Sequence, residues 1–180
     1  MKSIVTGGAG FIGSHLCDKL VSLGHKVILI DNFKVGKKSN INQLKGKIKI
    51  FNKDIRNFKS IKNLFKNVKN VFHLAALADI VPSIENPDDY FTTNVNGTYN
   101  VLKASIDNKV KRFIYSASSS CYGIPKKYPT PENEKISSGV LLLLCIIIAS
   151  APAATYDLAL FKASSIPFSK IKLSILAMTM

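Results

Sequence analysis

The chain has 180 residues, enough for one domain with a sizeable hydrophobic core. Lysine and arginine total 25 against 11 acidic residues, and the formal net charge of +14 invites comparison with nucleic-acid-binding proteins. The 23 lysines are spread along the sequence without a nucleic-acid motif or interleaved aromatic residues, so biased lysine usage explains them better and no nucleic-acid partner is expected.

Cysteine and histidine usage indicates a reducing compartment and no metal site. Cys17, Cys121 and Cys145 are odd in number, far apart and without a C-x-x-C motif. The three histidines lack metal-ligand spacing, so we expect no metal. The apolar stretch after Lys2 is interrupted at once by glycines, which is not the pattern of a signal peptide. The expected location is therefore cytoplasmic.

The first predicted element is a short strand that turns into a helix through a glycine-rich loop. Ile4 and Val5 end an apolar run too brief for anything except a strand, and the loop TGGAGFIG follows at Thr6–Gly13. Apolar residues at helical spacing then predict a helix that stops at Gly24, where glycine supplies the left-handed conformation. Two glycine patterns overlap in the loop, G-x-G-x-x-G at Gly8, Gly10 and Gly13 and G-x-x-G-x-x-G at Gly7, Gly10 and Gly13.

These glycine spacings predict a dinucleotide-binding turn. A turn without side chains lets a pyrophosphate approach the backbone, and the helix N-terminus offers it free N–H groups and partial positive charge. A second apolar run, Val27–Ile30, ends in Asp31, where an acid can accept hydrogen bonds from the adenosine ribose hydroxyls. Asn32 and an aromatic residue follow, with no arginine for a 2′-phosphate, so we expect NAD rather than NADP. Three lysines nevertheless lie close by, at Lys34, Lys37 and Lys38.

Strand and helix patterns continue to alternate along the chain. Strands are predicted at Lys47–Phe51, Asn70–Leu74 and Arg112–Ser116. Helices are predicted at Asn57–Asn67, with Asn57 as its cap, and from about Asp88 to Asp107. The connections are predicted as loops, a polar one ending at Gly46 and one broken by Pro82 and Pro87. Five alternations predict an α/β fold, a doubly wound parallel sheet covered on both faces, of the Rossmann type.

Ligands of such sheets bind at the carboxyl ends of the strands, and this rule selects further candidate residues. The later strand ends carry Asp54 and Ile55, then Ala75 and Ala76, and finally Ser116 to Ser120. The two alanines leave room for a cofactor at the edge that all these residues share.

The chain then resembles a known family through six segments that occur in the family's order. They are Thr6–Leu16 (TGGAGFIGSHL), Asp31–Asn32, Asp54–Arg56 (DIR), His73–Ala76 (HLAA), Asn94–Thr98 (NVNGT) and Ser116–Gly123 (SASSSCYG). They cover residues 1 to about 135 and resemble the extended short-chain dehydrogenases/reductases, in particular NAD-dependent nucleotide-sugar epimerases and dehydratases similar to UDP-glucose 4-epimerases.

The resemblance implies roles for residues at matching positions. The pyrophosphate would be held by Gly7, Gly10, Phe11, Ile12 and Gly13. Asp31 and Asn32 would hold the adenosine ribose, and Asp54 and Ile55 would frame the adenine. The strand-four side of the cofactor would be lined by Leu74, Ala75 and Ala76, with Asn94 nearby on the long helix. Ser118 matches the family's catalytic serine or threonine, which donates a hydrogen bond to the sugar hydroxyl being oxidised.

The same resemblance implies a reaction on a UDP-sugar. A tyrosine removes the hydroxyl proton at sugar C4 while hydride passes to NAD, and a lysine four residues later lowers the pKa of that tyrosine. An epimerase returns the hydride to the other face of the keto sugar, whereas dehydratases and decarboxylases of the family share only the first transfer. Family members usually form homodimers through helices that flank the active site.

The family's tyrosine–lysine pair is not present at its expected place, about twenty-five residues beyond Ser118, where Gly139–Ile148 reads GVLLLLCIII. Tyr156 has no lysine four residues further on, and the helix that would join Tyr122 to a later lysine is interrupted by Pro125. We therefore expect impaired catalysis. The alternative is a catalytically inert NAD-binding fragment or pseudoenzyme.

Composition also changes abruptly at residue 136. Residues 1–135 contain 14 asparagines and ten of the 11 acids, whereas residues 136–180 contain no asparagine. We divide the chain into an NAD-binding Rossmann domain (1–135) and a divergent apolar tail (136–180), from a frameshift, a recombined end or a truncated gene, with the C-terminal substrate domain missing. Ile136–Tyr156 has the length of a membrane span, weakened by its small and polar residues, and Val140–Ile148 could instead be a sixth buried strand.

Overall fold

A six-stranded parallel sheet forms the centre of the fold. The computed structural model describes residues 1–118, 122, 124, 127–129, 131 and 172–178. The strands are β1 (Lys2–Thr6), β2 (Lys26–Asp31), β3 (Lys49–Asn52), β4 (Asn70–His73), β5 (Arg112–Ser118) and β6 (Lys172–Met178). Their order is β3-β2-β1-β4-β5-β6, which is that of a doubly wound Rossmann sheet. The predicted α/β fold class is therefore confirmed.

Both faces of the sheet are covered. Alternate residues of a strand point to opposite sides of the sheet, so β1, β2 and β4 each contribute to two buried clusters. On one face Ile4, Ile28 and Val71 belong to a buried cluster with Phe113. On the other face Val5, Val27 and Leu29 are buried with residues of the first helix. Each fully buried side chain of this size stabilises the fold by roughly 1.5–3 kcal/mol relative to its exposed state.

The described helices alternate with the strands. They are α1 (Phe11–Ser22), α2 (Phe58–Ile61), α3 (Ile80–Glu85), α4 (Pro87–Phe91) and α5 (Thr98–Asp107). Short 3₁₀ helices cover Lys38–Leu44 and Lys62–Phe65, and a π-helical segment at Thr92–Gly97 joins α4 to α5. The predicted long helix is thus confirmed as continuous helical backbone, with one wide turn near its middle.

Three predicted segments between the strands differ from the structure, and the first is the polar loop that ends at Gly46, which contains the 3₁₀ helix Lys38–Leu44. The helix predicted at Asn57–Asn67 is α2 followed by a 3₁₀ turn, and the Asn57 side chain caps it by accepting from the Ser60 N–H at 3.2 Å. The loop predicted around Pro82 is wrong, because α3 includes this proline. Pro82 is the third residue of α3, in the first turn, where its missing N–H has no intrahelical partner to lose.

The sixth strand comes from an unexpected part of the sequence. β6 pairs in parallel with β5 from Arg112 opposite Lys172 to Ser118 opposite Met178. The strand predicted at Val140–Ile148 lies outside the described residues, as does the uncharged segment Ile136–Tyr156. Among the helices that the structure describes, none has both the length and the apolar character needed to cross a bilayer.

Basic residues lie at the amino ends of the strands. Basic residues begin five strands, at Lys2, Lys26, Lys49, Arg112 and Lys172, and Lys69 immediately precedes β4. Six acidic residues lie at or after the carboxyl ends of β2, β3 and β4, at Asp31, Asp54, Asp79, Glu85, Asp88 and Asp89. Six of the 25 basic residues are therefore placed at one edge of the sheet, which we call the amino edge.

Candidate cofactor-binding site

The turn between β1 and α1 depends on glycine at two positions. Gly7 has φ +68° and donates its N–H to the Ile30 carbonyl at 2.9 Å, while its own carbonyl accepts from the Gly10 N–H at 3.2 Å. A Cβ on Gly7 would lie 2.7 Å from the Ala75 nitrogen, and a Cβ on Gly13 would lie 2.2 Å from the Gly7 carbonyl oxygen. These neighbours are backbone atoms, so they cannot rotate aside as a side chain would.

Helix α1 begins without a side-chain cap. Its N-cap residue, Gly10, is extended and offers no side-chain acceptor, and the first turn contains no acidic residue. The first amides of a helix have no intrahelical partner, so those of Phe11, Ile12 and Gly13 can donate to an anion. The Phe11 and Ile12 side chains are 77% and 46% exposed, and their contribution to such a site would come from the backbone.

The carboxylate of Asp31 is fixed at the floor of the same region. It is 8% exposed, and its oxygens accept the Ala9 N–H at 2.9 Å and the Phe33 N–H at 2.8 Å. Gly36 lies against it, because a Cβ at Gly36 would be 2.9 Å from both carboxylate oxygens. Each oxygen carries a second lone pair, so Asp31 can still accept hydrogen bonds from ribose hydroxyls.

A cavity of about 120 Å³ lies beside these groups, at the carboxyl ends of β1 and β4 where the strand order reverses. Eight residues predicted from the sequence line it: Gly7, Gly10, Asp31, Asn32, Ile55, Leu74, Ala75 and Ala76. Seven lining residues were not predicted: Ile30, Lys34, Val35, Gly36, Lys53, Leu77 and Thr93. The structure therefore brings most of the predicted set together at one crevice.

Two predicted residues act on the walls of the cavity rather than lining it. Asn94, in the π-helical segment, accepts the Leu77 N–H and donates to the Leu77 carbonyl, both at 2.9 Å, and so holds the segment after β4. Asp54 follows β3 and receives a bidentate contact from Arg56, at 2.7 Å from Nη2 and 3.0 Å from Nε. The Arg56 hydrogen bonds are the main cause that lowers the pKa of Asp54 from 3.8 to about 2.

The predicted catalytic serine, Ser118, is the last residue of β5 and ends at the same edge of the sheet as the cavity. Tyr122 is half-buried, and most of the sequence around it and beyond lies outside the described residues.

A buried histidine supports the crevice from beneath. His73, the last residue of β4, is 1% exposed and contacts Thr6 Oγ1 through Nδ1 at 2.6 Å and Thr98 Oγ1 through Nε2 at 2.8 Å. Burial lowers the pKa of His73 from 6.5 to about 4, so the ring is neutral near pH 7. Thr6 Oγ1 also accepts the Ala75 N–H at 3.4 Å, which links this network to the cavity wall.

Known proteins are similar to this chain in both sequence and structure. A curated putative UDP-glucose 4-epimerase of Methanocaldococcus jannaschii is 39% identical over 136 residues, which are 74% of this chain and 44% of that protein. A UDP-N-acetyl-alpha-D-glucosaminuronate decarboxylase of Bacillus cytotoxicus is 39% identical over 122 residues, 68% of this chain and 38% of that protein. A solved UDP-glucose-4-epimerase from Stenotrophomonas maltophila, with bound NAD and formylated UDP-arabinopyranose, matches at 28% identity and a TM-score of 0.70, covering 83% of this chain and 48% of that one.

The chain therefore spans between 38% and 48% of the length of these three relatives. One family model, described as the NAD dependent epimerase/dehydratase family, matches residues 3–141, which is more than half of the chain. The matched range contains the glycine turn, Asp31, the cavity and Ser118. Sequence and fold agree, and the chain belongs to the NAD dependent epimerase/dehydratase family.

Proposed function

We propose that the chain binds NAD in the crevice at the carboxyl ends of β1 and β4. The observation that carries this proposal is the uncapped N-terminus of α1, placed beside a glycine turn that admits no Cβ at Gly7 or Gly13. The amides there fit a pyrophosphate, and Asp31 fits a ribose diol. Gly7, Gly10, Phe11, Ile12 and Gly13 would hold the pyrophosphate through their backbone.

The remaining residues of the crevice fit the other parts of a dinucleotide. Asp31 and Asn32 would bind the adenosine ribose, and Asp54 and Ile55 would border the adenine. Leu74, Ala75 and Ala76 would form the opposite wall, with Asn94 holding that wall in place through Leu77. Bound NAD would supply a hydride acceptor. Ser118 ends β5 at the same edge of the sheet as the crevice.

Asp31→Asn tests the ribose contact. The substitution removes a charged acceptor, and hydrogen bonds to charged groups contribute about 1.5–3 kcal/mol, so we expect NAD affinity to fall about tenfold or more. Isothermal titration calorimetry measures the affinity. Asp18→Asn makes the same change at an exposed position of α1 and should leave NAD affinity unchanged. Equal NAD affinity in wild type and Asp31→Asn would contradict the proposed ribose site.

We further propose that the reaction of the intact family member is 4-epimerisation of a UDP-sugar. Support comes from the archaeal and Stenotrophomonas relatives, one a putative and one a solved UDP-glucose 4-epimerase. The Bacillus relative is a decarboxylase of a UDP-sugar acid, so decarboxylation or dehydration is the alternative reaction. In each case Ser118 would donate a hydrogen bond to the sugar hydroxyl that is oxidised.

A second candidate function is binding of NAD without turnover. It is favoured by the sequence, which lacks a tyrosine–lysine pair at the family's position beyond Ser118. Such a protein would bind NAD but would lack the general base that removes the hydroxyl proton.

Turnover of UDP-glucose and UDP-galactose separates the two candidates. Without the general base, which contributes typically about 10²–10⁴-fold to rate, we expect the purified chain to interconvert the sugars slowly or undetectably. Any measured rate that Ser118→Ala abolishes would rule out the inert candidate. Ser22→Ala, on the exposed face of α1, is the control for a general effect of removing a serine.

The composition of the chain bears on the origin of its tail and on its cellular location. We propose that residues 136–180 differ in origin from residues 1–135, because asparagine occurs 14 times before residue 136 and not at all after it. Strand β6 lies within this tail. Translation of the other two reading frames beyond codon 135 tests this, because a frameshift would reveal Tyr-x-x-x-Lys followed by a longer domain. We also propose a cytoplasmic location, which the odd number and wide spacing of the cysteines support. Homodimerisation is expected only if the chain has the helices through which family members pair.

A further inference from the structure

A network of charged and polar side chains lies beside the cavity, which two members of the network, Asn32 and Lys34, line. Lys34 Nζ forms an ion pair with Asp89 Oδ2, and Arg56 Nη1 contacts Asp89 Oδ1 at 3.1 Å. Arg56 also holds Asp54 in a bidentate contact, and the Asn32 side-chain amide donates to Asp54 at 3.1 Å. The network ties the segments after β2 and β3 to α4.

Lys34 is the cation in this network that lines the cavity, together with Asp31 and Asn32. Its ammonium group faces Asp89, a residue of α4 that is 55 positions away in the sequence. Arg56 has a second carboxylate partner in Asp54 and stays paired whatever occupies position 89. Asp89 therefore determines whether the charge of Lys34 is free.

The free or paired state of Lys34 matters for a ligand that carries phosphate on the adenosine ribose. The ribose 2′-position is where NADP differs from NAD, and the added phosphate brings negative charge close to the fixed carboxylate of Asp31. A cation is needed there to offset the repulsion, and Lys34 already faces an acid of the protein in a half-exposed ion pair. Asp89 thus pairs with the lysine charge that a 2′-phosphate would otherwise contact.

We propose that Asp89 adds to the preference of this chain for NAD by holding Lys34 away from the 2′-phosphate of NADP. The inference rests on the proposed NAD site. It assigns the preference to two acids with separate actions, because Asp31 repels the phosphate and Asp89 removes the counter-charge. Lys53 also lines the cavity and is the same in every variant below, so its contribution cancels.

The test compares Asp89→Asn with Asp88→Asn by calorimetric titration of NAD and NADP at low ionic strength. Asp88 is the neighbouring residue of α4, is exposed and forms no ion pair within the described part of the chain. Both variants change the net charge equally, but only Asp89→Asn frees Lys34. We expect NADP binding relative to NAD to strengthen about threefold to fivefold in Asp89→Asn and to stay unchanged in Asp88→Asn.

Adding Lys34→Gln to Asp89→Asn should abolish the gain, because the freed cation is then absent. Equal NADP-to-NAD ratios in wild type and Asp89→Asn overturn the inference, and so does a gain that survives Lys34→Gln. A wild-type chain that binds neither dinucleotide would instead overturn the proposed NAD site. The two failures are therefore distinguished by the wild-type titration alone.

Discussion

Gly13→Ala should abolish NAD binding while leaving the fold recognisable. The added Cβ would lie 2.2 Å from the Gly7 carbonyl oxygen and 2.7 Å from Gly8 Cα, so the turn and the start of α1 must move apart. Overpacking of this kind lowers the free energy of unfolding by about 1–3 kcal/mol. Displaced amides would lose two or more pyrophosphate contacts of about 1.5–3 kcal/mol each, so NAD affinity should fall at least a hundredfold.

Gly24→Ala is the matched control at the other end of α1. Gly24 has φ +75°, which strains alanine by about 1 kcal/mol, yet no atom lies within 4 Å of its added Cβ. We expect a comparable loss of stability in urea unfolding and unchanged NAD affinity by calorimetry. If Gly13→Ala bound NAD as wild type does, the close approach of helix and turn would not be a requirement of the site.

Acidification from about pH 6.5 to about pH 4 should destabilise the protein through His73. The folded state holds the ring neutral, with its pKa lowered to about 4, whereas the unfolded state takes up a proton below about pH 6.5. The unfolded state therefore binds more protons in this window, and the free energy of unfolding should decrease by up to about 3 kcal/mol as pH falls through it. Above about pH 6.5 the ring is neutral in both the folded and the unfolded state, so protonation of His73 no longer lowers the free energy of unfolding.

Urea unfolding at a series of pH values measures this effect. His73→Gln removes the titrating group and should flatten the profile between pH 6.5 and pH 4, at some loss of stability from the contacts with Thr6 and Thr98. Asp54 contributes in a separate window, because its pKa falls from 3.8 to about 2 and its stabilisation is lost only between those values. A wild-type profile that is flat from pH 6.5 to pH 4 would contradict the neutral buried ring, whether or not His73→Gln folds.

Local patterns predict the strands and the first helix of the first half of the fold, because each has its own apolar run and stop signal. The long helix was also predicted from its apolar spacing, but its π-helical turn at Thr92–Gly97 was not. The 3₁₀ helix at Lys38–Leu44 was missed because only Ile41 and Leu44 are buried in an otherwise polar segment. β6 could not be predicted, because its partner β5 is more than fifty residues away and the pairing is non-local.

The residues of the candidate site also fall into those that a local pattern predicts and those that depend on contacts between distant segments. The glycine turn and Asp31 were predicted because their spacing in the sequence carries the geometry of a strand–turn–helix unit. Lys34 and Gly36 were missed as site residues, since their place in the cavity depends on how the segment after β2 folds back on Asp31. The partnership of Asp89 with Lys34 is a contact between distant elements, and no local pattern indicates it.

The basic residues at the starts of the strands have a practical consequence for handling the protein. Lysine and arginine residues begin five strands at the amino edge, whereas the crevice at the opposite edge is lined by the acid Asp31 together with Lys34 and Lys53. A negatively charged support, such as a cation-exchange resin or a mica surface, should adsorb the molecule by its amino edge. Adsorbed molecules would share one orientation, with the cofactor crevice facing the solvent, and raised salt would release them.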